Sequence, residues 1–144
     1  MKYVSDLLDM RCMMESHGMA RFLSNGMTES DCRELESLRN LIQKAVRESE
    51  VMALEEHMEL DAKLHLFFNS LNRNEIMDEM WGRMALANVV VQRLSLKERA
   101  LQSHEEHLQV VDCLLDGEVE KAIEMNKRHL EHTKLFVEKA LRVR

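Results

Sequence analysis

Residues 53–71, ALEEHMELDAKLHLFFNSL, decide how this chain is read. Leu54, Met58, Asp61, His65 and Phe68 recur at three- and four-residue intervals, so on an α-helix they share one stripe. The stripe is apolar at its ends and carries a carboxylate and an imidazole in its middle. Turning this face to a core buries Asp61, which is costly unless the carboxylate is paired or bound to a cation. Two readings are open here. Asp61 and His65 hydrogen-bond to each other at the core edge, or they are half of a metal site.

The same period runs outward in both directions. A first helix is expected from about Val4 to Leu23, carrying Leu7, Leu8, Met10, Met14 and Met19, and closed where Gly26 can turn left-handed. Thr28 should cap a second helix, with Glu29 and Asp31 in its electropositive first turn and Leu35, Leu38, Leu41, Ile42 and Val46 along it. It should fray in residues 47–50. The third helix covers about Ala53 to Leu71. After Asn72-Arg73-Asn74 a long fourth helix is expected from Glu75 to about Leu96. Ser103 reads as the N-cap of a fifth, with Glu106 as its capping-box partner, and Asp116-Gly117 precedes a sixth from Glu118 to about Arg142. Six helices joined by short turns pack as a single antiparallel bundle, all-α with no sheet.

Composition agrees. The 144 residues make one ordinary domain spanning 1–144, with no proline, four glycines, 45% hydrophobic and 32% charged residues, which describes a folded helical protein. A net charge of −6 argues against nucleic-acid binding by this segment, because a duplex is neutralised by clustered Lys and Arg. Cys12, Cys32 and Cys113 form no close pair, so reduced thiols and a cytoplasmic location are expected. No run is apolar enough to cross a membrane. The twelve methionines, at helical spacing, read as adaptable core filler.

Seven histidines then have to be sorted. In the fifth helix the apolar set around Val110, Val111 and Leu114 places His107 within about 20° of its centre, while His104 is about 45° away. In the sixth, His129 lies on the row of Ala122, Met125, Phe136 and Ala140, and His132 turns to the polar side. His17, His57, His104 and His132 therefore read as polar residues on solvated faces. Asp61, His65, His107 and His129 remain as inward polar groups. Each alone is more often a satisfied core residue, but three imidazoles and one carboxylate suit a borderline divalent ion, with zinc first and nickel or manganese also fitting.

The ordered segments DLLDMRCMMES, MTESDCREL, DAKLH and EEHLQVVDCLLDGEVEKAIEMNKRHL resemble the FCD domain, the C-terminal effector-binding domain of FadR-branch GntR-type transcriptional regulators. The likeness runs from about residue 5 to 140. Lys63-Leu64 replaces the family's usual aromatic before the histidine, Glu75 stands where proline is common, and the stretch between Asn74 and His107 is short.

The resemblance implies that Asp61, His65, His107 and His129 hold a divalent metal and that a small carboxylic acid binds beside it. Arg11 and Asn74 are the expected effector contacts; for Arg11 an intrahelical pair with Glu15 is an equal alternative. It also implies a homodimer, and DNA contact only through an N-terminal winged helix-turn-helix that these residues do not contain. Two other readings stand beside the sensor. One is a metal-dependent hydrolase or oxygenase, which lacks a general base in a His-Glu-x-x-His motif, and the other is a metal-free bundle acting through protein contacts. The Glu-x-x-His pairs of a di-iron bundle are absent, since His104 and Asn126 occupy the places three before His107 and His129.

Overall fold

Thr28 opens its helix as the sequence requires: its hydroxyl accepts from the Asp31 backbone N–H at 3.0 Å, and the Asp31 carboxylate in turn accepts from the Thr28 N–H. The computed structural model describes residues 2–142, and six helices account for nearly all of them. These are α1 (Lys2–Asn25), α2 (Glu29–Glu48), α3 (Leu54–Ser70), α4 (Glu75–Arg83), α5 (Ala85–Leu115) and α6 (Val119–Arg142). Gly26 and Gly117 close α1 and α5 at φ +68° and +79°, in the left-handed region that glycine enters without strain.

The number of helices meets expectation, but one division does not. The chain breaks at Met84, so the long fourth helix is a short α4 followed by a long α5. Ser103 is not an N-cap, and Glu106 is not its capping-box partner. Both lie well inside α5, whose one irregular residue is Arg99 at φ −126° and ψ +30°. The serine signal had a different cause: Ser103 is a buried hydroxyl that accepts from Arg99 Nη1 at 3.5 Å. Along α2, Leu41 is 40% exposed and Ala45 is buried in its stead, because the packed stripe runs through Leu35, Leu38 and Ile42.

The helices form an antiparallel bundle in which α5 packs on α6, α2 and α3 while α1 packs on α6 and α3. Gly18 fixes the closest approach. A Cβ there would stand 2.3 Å from the Phe68 carbonyl oxygen, so the α1 and α3 backbones approach each other directly at this point. Apolar packing divides into two clusters. One holds Phe22, Leu35, Ile42, Leu64, Phe68, Val110 and Leu114; the other holds Leu7, Leu8, Val91, Leu130 and Val137. Between them lies a polar layer, since α1, α5 and α6 each pass from one cluster to the other through buried polar residues: Arg11 and Glu15, Ser103 to His107, and Asn126 with His129. On α3 the same layer holds His57, Asp61 and His65. No described helix is long and apolar enough to cross a membrane.

Candidate metal centre

The polar layer is where the four selected residues meet. Asp61, His65, His107 and His129 are all buried, and one ligand atom from each lies within 4.8 Å of the others. The Nε2 atoms of His65 and His107 are 3.1 Å apart, and those of His107 and His129 are 2.9 Å apart. Asp61 Oδ1 is 3.6 Å from Nε2 of both His65 and His107. That is too long for a hydrogen bond, so the Asp61–His65 pair left open by the sequence gives way to a convergent group. With bonds of about 2.1 Å, a tetrahedral ion spaces its ligand atoms about 3.4 Å apart and an octahedral ion about 3.0 Å. These four separations, 2.9–3.6 Å, lie in the range that a single ion of either kind imposes on neighbouring ligand atoms.

Two carboxylates aim the rings. His65 Nδ1–H donates to Glu15 Oε1 at 2.5 Å, and His129 Nδ1–H donates to Glu106 Oε2 at 3.3 Å. A proton held on Nδ1 leaves the Nε2 lone pair for the centre. His107 Nε2 faces both of these nitrogens, and one proton there cannot serve two contacts. Such a donor set suits a cation better than it suits hydrogen bonding.

Electrostatics agrees for Asp61, His107 and His129. Burial disfavours the Asp61 carboxylate, but His65 and His107 outweigh it and hold Asp61 well below the usual carboxylate range. Burial, reinforced by His129 and His65, pushes His107 well below the usual histidine value, and His129 is lowered by burial and His65 against the pull of Glu106. These two rings are thereby neutral, as a ligand must be. His65 differs: burial opposes its charge, yet Glu15 and Asp61 prevail and raise its pKa, while Glu15 is lowered by His65 and Arg11 against burial.

Around this centre the next contacts are equally specific. Gln92 Nε2 donates to Asp61 Oδ2 at 2.7 Å. Arg11 is buried, with Nε on Glu15 Oε2 at 3.3 Å and Nη1 on Asn88 Oδ1 at 3.5 Å, and its guanidinium stands 5.6 Å from the Trp81 ring centre. Arg11 also lines a small cavity beside the ligands, of about 10 Å³, with Asp61, His65, Gln92, Ser95, His129 and Thr133. The intrahelical pair of Arg11 with Glu15 is therefore present, and Arg11 also borders the cavity. Asn74 is placed elsewhere: it is exposed and caps α4, accepting from the Met77 N–H at 3.1 Å.

Sequence reasoning misjudged three residues. His57 and His104 are not on solvated faces; they are buried, and His57 Nδ1 lies 2.9 Å from His104 Nε2. A signal was present, because His57 is one turn before Asp61 and His104 one turn before His107. Glu106 is the third, for its partners on α6 cannot be seen from spacing along α5. His17 and His132 are exposed as expected, though His17 bonds Asn72 and His132 bonds Glu106.

The sequence model of the FCD domain family matches residues 6–132, and the chain belongs to that family. Its fold is similar to two solved structures of TM0439, a protein assigned as a transcriptional regulator. The metal-free FCD domain of TM0439 aligns with a TM-score of 0.86 at 23% identity, covering 99% of this chain and 96% of that one. The Zn2+-bound form aligns with a TM-score of 0.80 at the same identity and coverage. No curated protein matches the sequence.

Proposed function

We propose that this FCD domain binds a divalent metal, zinc first, through Asp61, His65, His107 and His129, and senses a small carboxylic acid beside it for a GntR-type transcriptional regulator. The observation that carries this reading is the convergence of three imidazole Nε2 atoms and one carboxylate within 4.8 Å in a buried layer. The Zn2+-bound state of TM0439 supports the choice of metal. A bound ion would supply a Lewis-acidic positive charge that attracts an anion. The protein's own part is to keep Asp61 ionised and His107 and His129 neutral, to hold His65 and His129 with Nε2 inward, and to exclude water. Arg11 offers a fixed, planar donor set on the cavity wall, suited to a carboxylate. Asn74 is not carried into this role, since its side chain is engaged in capping α4.

The cavity has room for about one water. An acid must therefore widen it, and the widening is the signal: effector binding favours the arrangement with the larger cavity by its difference in affinity for the two. Two such domains acting as a homodimer in the cytoplasm would pass the shift to DNA-binding segments supplied outside these residues. Sensing is favoured over hydrolysis or oxygenation because Glu15 and Glu106, the carboxylates nearest the ligands, are committed to histidine Nδ1 and arginine partners. Thermal melts of the zinc-loaded domain with a panel of small carboxylic acids test the reading. At least one acid should raise the melting point in wild type and fail to do so in Arg11→Met. No response to any acid would refute the sensor.

A further inference from the structure

Asp61 and His129 each use one atom toward the centre and a second toward α5, on either side of its irregular residue. Ahead of it, Gln92 donates to Asp61 Oδ2 at 2.7 Å. Behind it, Glu106 accepts from His129 Nδ1 at 3.3 Å and pairs with the Arg99 guanidinium. Arg99 itself has the non-helical φ/ψ of −126° and +30°, and its Nη1 also reaches Ser103 Oγ at 3.5 Å and Thr133 Oγ1 at 3.3 Å. Arg99 is buried at this irregular point of the helix, and Glu106, Ser103 and Thr133 together engage its guanidinium. The same break separates Gln92 and Ser95, on the cavity wall, from His107 among the ligands.

With Asp61, His65, His107 and His129 taken as the ligands, we infer that Glu106 is a positioning residue that couples occupancy of the metal site to the bend of α5 at Arg99. Its Oε2 fixes the His129 ring and its Oε1 fixes Arg99, so the orientation a metal demands of His129 is passed to the bend through one rigid carboxylate. The bend in turn sets where Gln92 and Ser95 stand in the cavity. Glu106 also accepts from His132 Nδ1 at 3.0 Å, which places this link within reach of solvent.

Zinc affinity by chelator competition and amide hydrogen exchange across residues 96–103, with and without zinc, test the coupling. In wild type, zinc should slow exchange across the bend. Glu106→Gln should lower zinc affinity by about 10–100-fold, as for other hydrogen-bond partners of metal-ligating histidines, and should abolish the slowing. Arg99→Met leaves the carboxylate on His129, so it should keep zinc affinity within about threefold yet lose the slowing, because only the link to the bend is cut. Wild type that binds zinc with no change in exchange at the bend overturns the inference, as does Glu106→Gln with unchanged affinity. A folding defect in Glu106→Gln, seen by circular dichroism, leaves Arg99→Met to decide: zinc-induced slowing that persists there refutes the coupling. Wild type that binds no zinc contradicts the metal reading instead.

Discussion

Glu15 Oε1 lies 2.5 Å from His65 Nδ1, although one residue belongs to α1 and the other to α3. This bond makes α1 part of the proposed metal centre without supplying a ligand. Arg11 and Asn126 hold the same carboxylate, at 3.3 and 3.4 Å, so its position is fixed from α1 and α6 together.

Glu15→Gln should therefore weaken metal binding with no ligand removed. The amide cannot act as a charged acceptor, and His65 is freed to put its proton on Nε2, against the ion. We expect zinc affinity to fall by about 10–100-fold with helicity retained. Chelator competition on the purified variant measures this, and an affinity equal to wild type would show that Glu15 serves only packing.

Metal should also hold the fold together, because the four proposed ligands come from three helices. Stripping the domain with a chelator should lower its melting point, and zinc should restore it. A free ion at about 1,000 times its dissociation constant adds about 4 kcal/mol. His107→Ala should erase the difference between the two melts. A zinc-dependent rise that survives in His107→Ala would place the ion elsewhere.

Acidification should destabilise the zinc-free domain. Burial, with His57 nearby, lowers His104 from 6.5 to about 4, and His107 and His129 are lowered too. Their folded values lie below their unfolded ones, so the unfolded chain binds more protons in that window. Stability is full above the ordinary histidine value and falls as pH drops toward about 4. Asp61, Glu15 and Glu106, all lowered, act in the same direction at more acidic pH. His65 is raised and opposes them, its contribution being lost as pH rises through its folded value. Thermal melts at about pH 7.5 and about pH 5 should show the lower midpoint at pH 5. A flat or rising profile would contradict these assignments.

Gly18→Ala tests the α1–α3 contact that brings Glu15 to His65. The added carbon meets the Phe68 carbonyl at 2.3 Å, so the helices must part. We expect a loss of about 3 kcal/mol, roughly 10 °C in melting point. A change below roughly 2 °C would mean that the helices do not approach this closely.

Much of this was legible in the chain. The stripe through Asp61 and His65 and the phase of His107 and His129 are properties of single helices, and periodicity reports such properties. What lay hidden depends on contacts between helices. Glu106 reads as a capping residue until α6 brings His129 and His132 to it. His57 and His104 read as surface residues until α3 and α5 bury them against each other. The break at Met84 was hidden for a different reason: no proline marks it, and Gly82, two residues before it, lies within α4, where the helical pattern continues up to the turn.

The central claim is that one ion sits among Asp61, His65, His107 and His129. Anomalous diffraction at the zinc absorption edge, from crystals of the zinc-equilibrated domain, locates the ion directly. We predict one strong peak about 2.0–2.2 Å from an Asp61 oxygen and from the Nε2 atoms of His65, His107 and His129. A peak only at exposed histidines such as His17 or His132, with the four buried side chains bonded to one another, would contradict it.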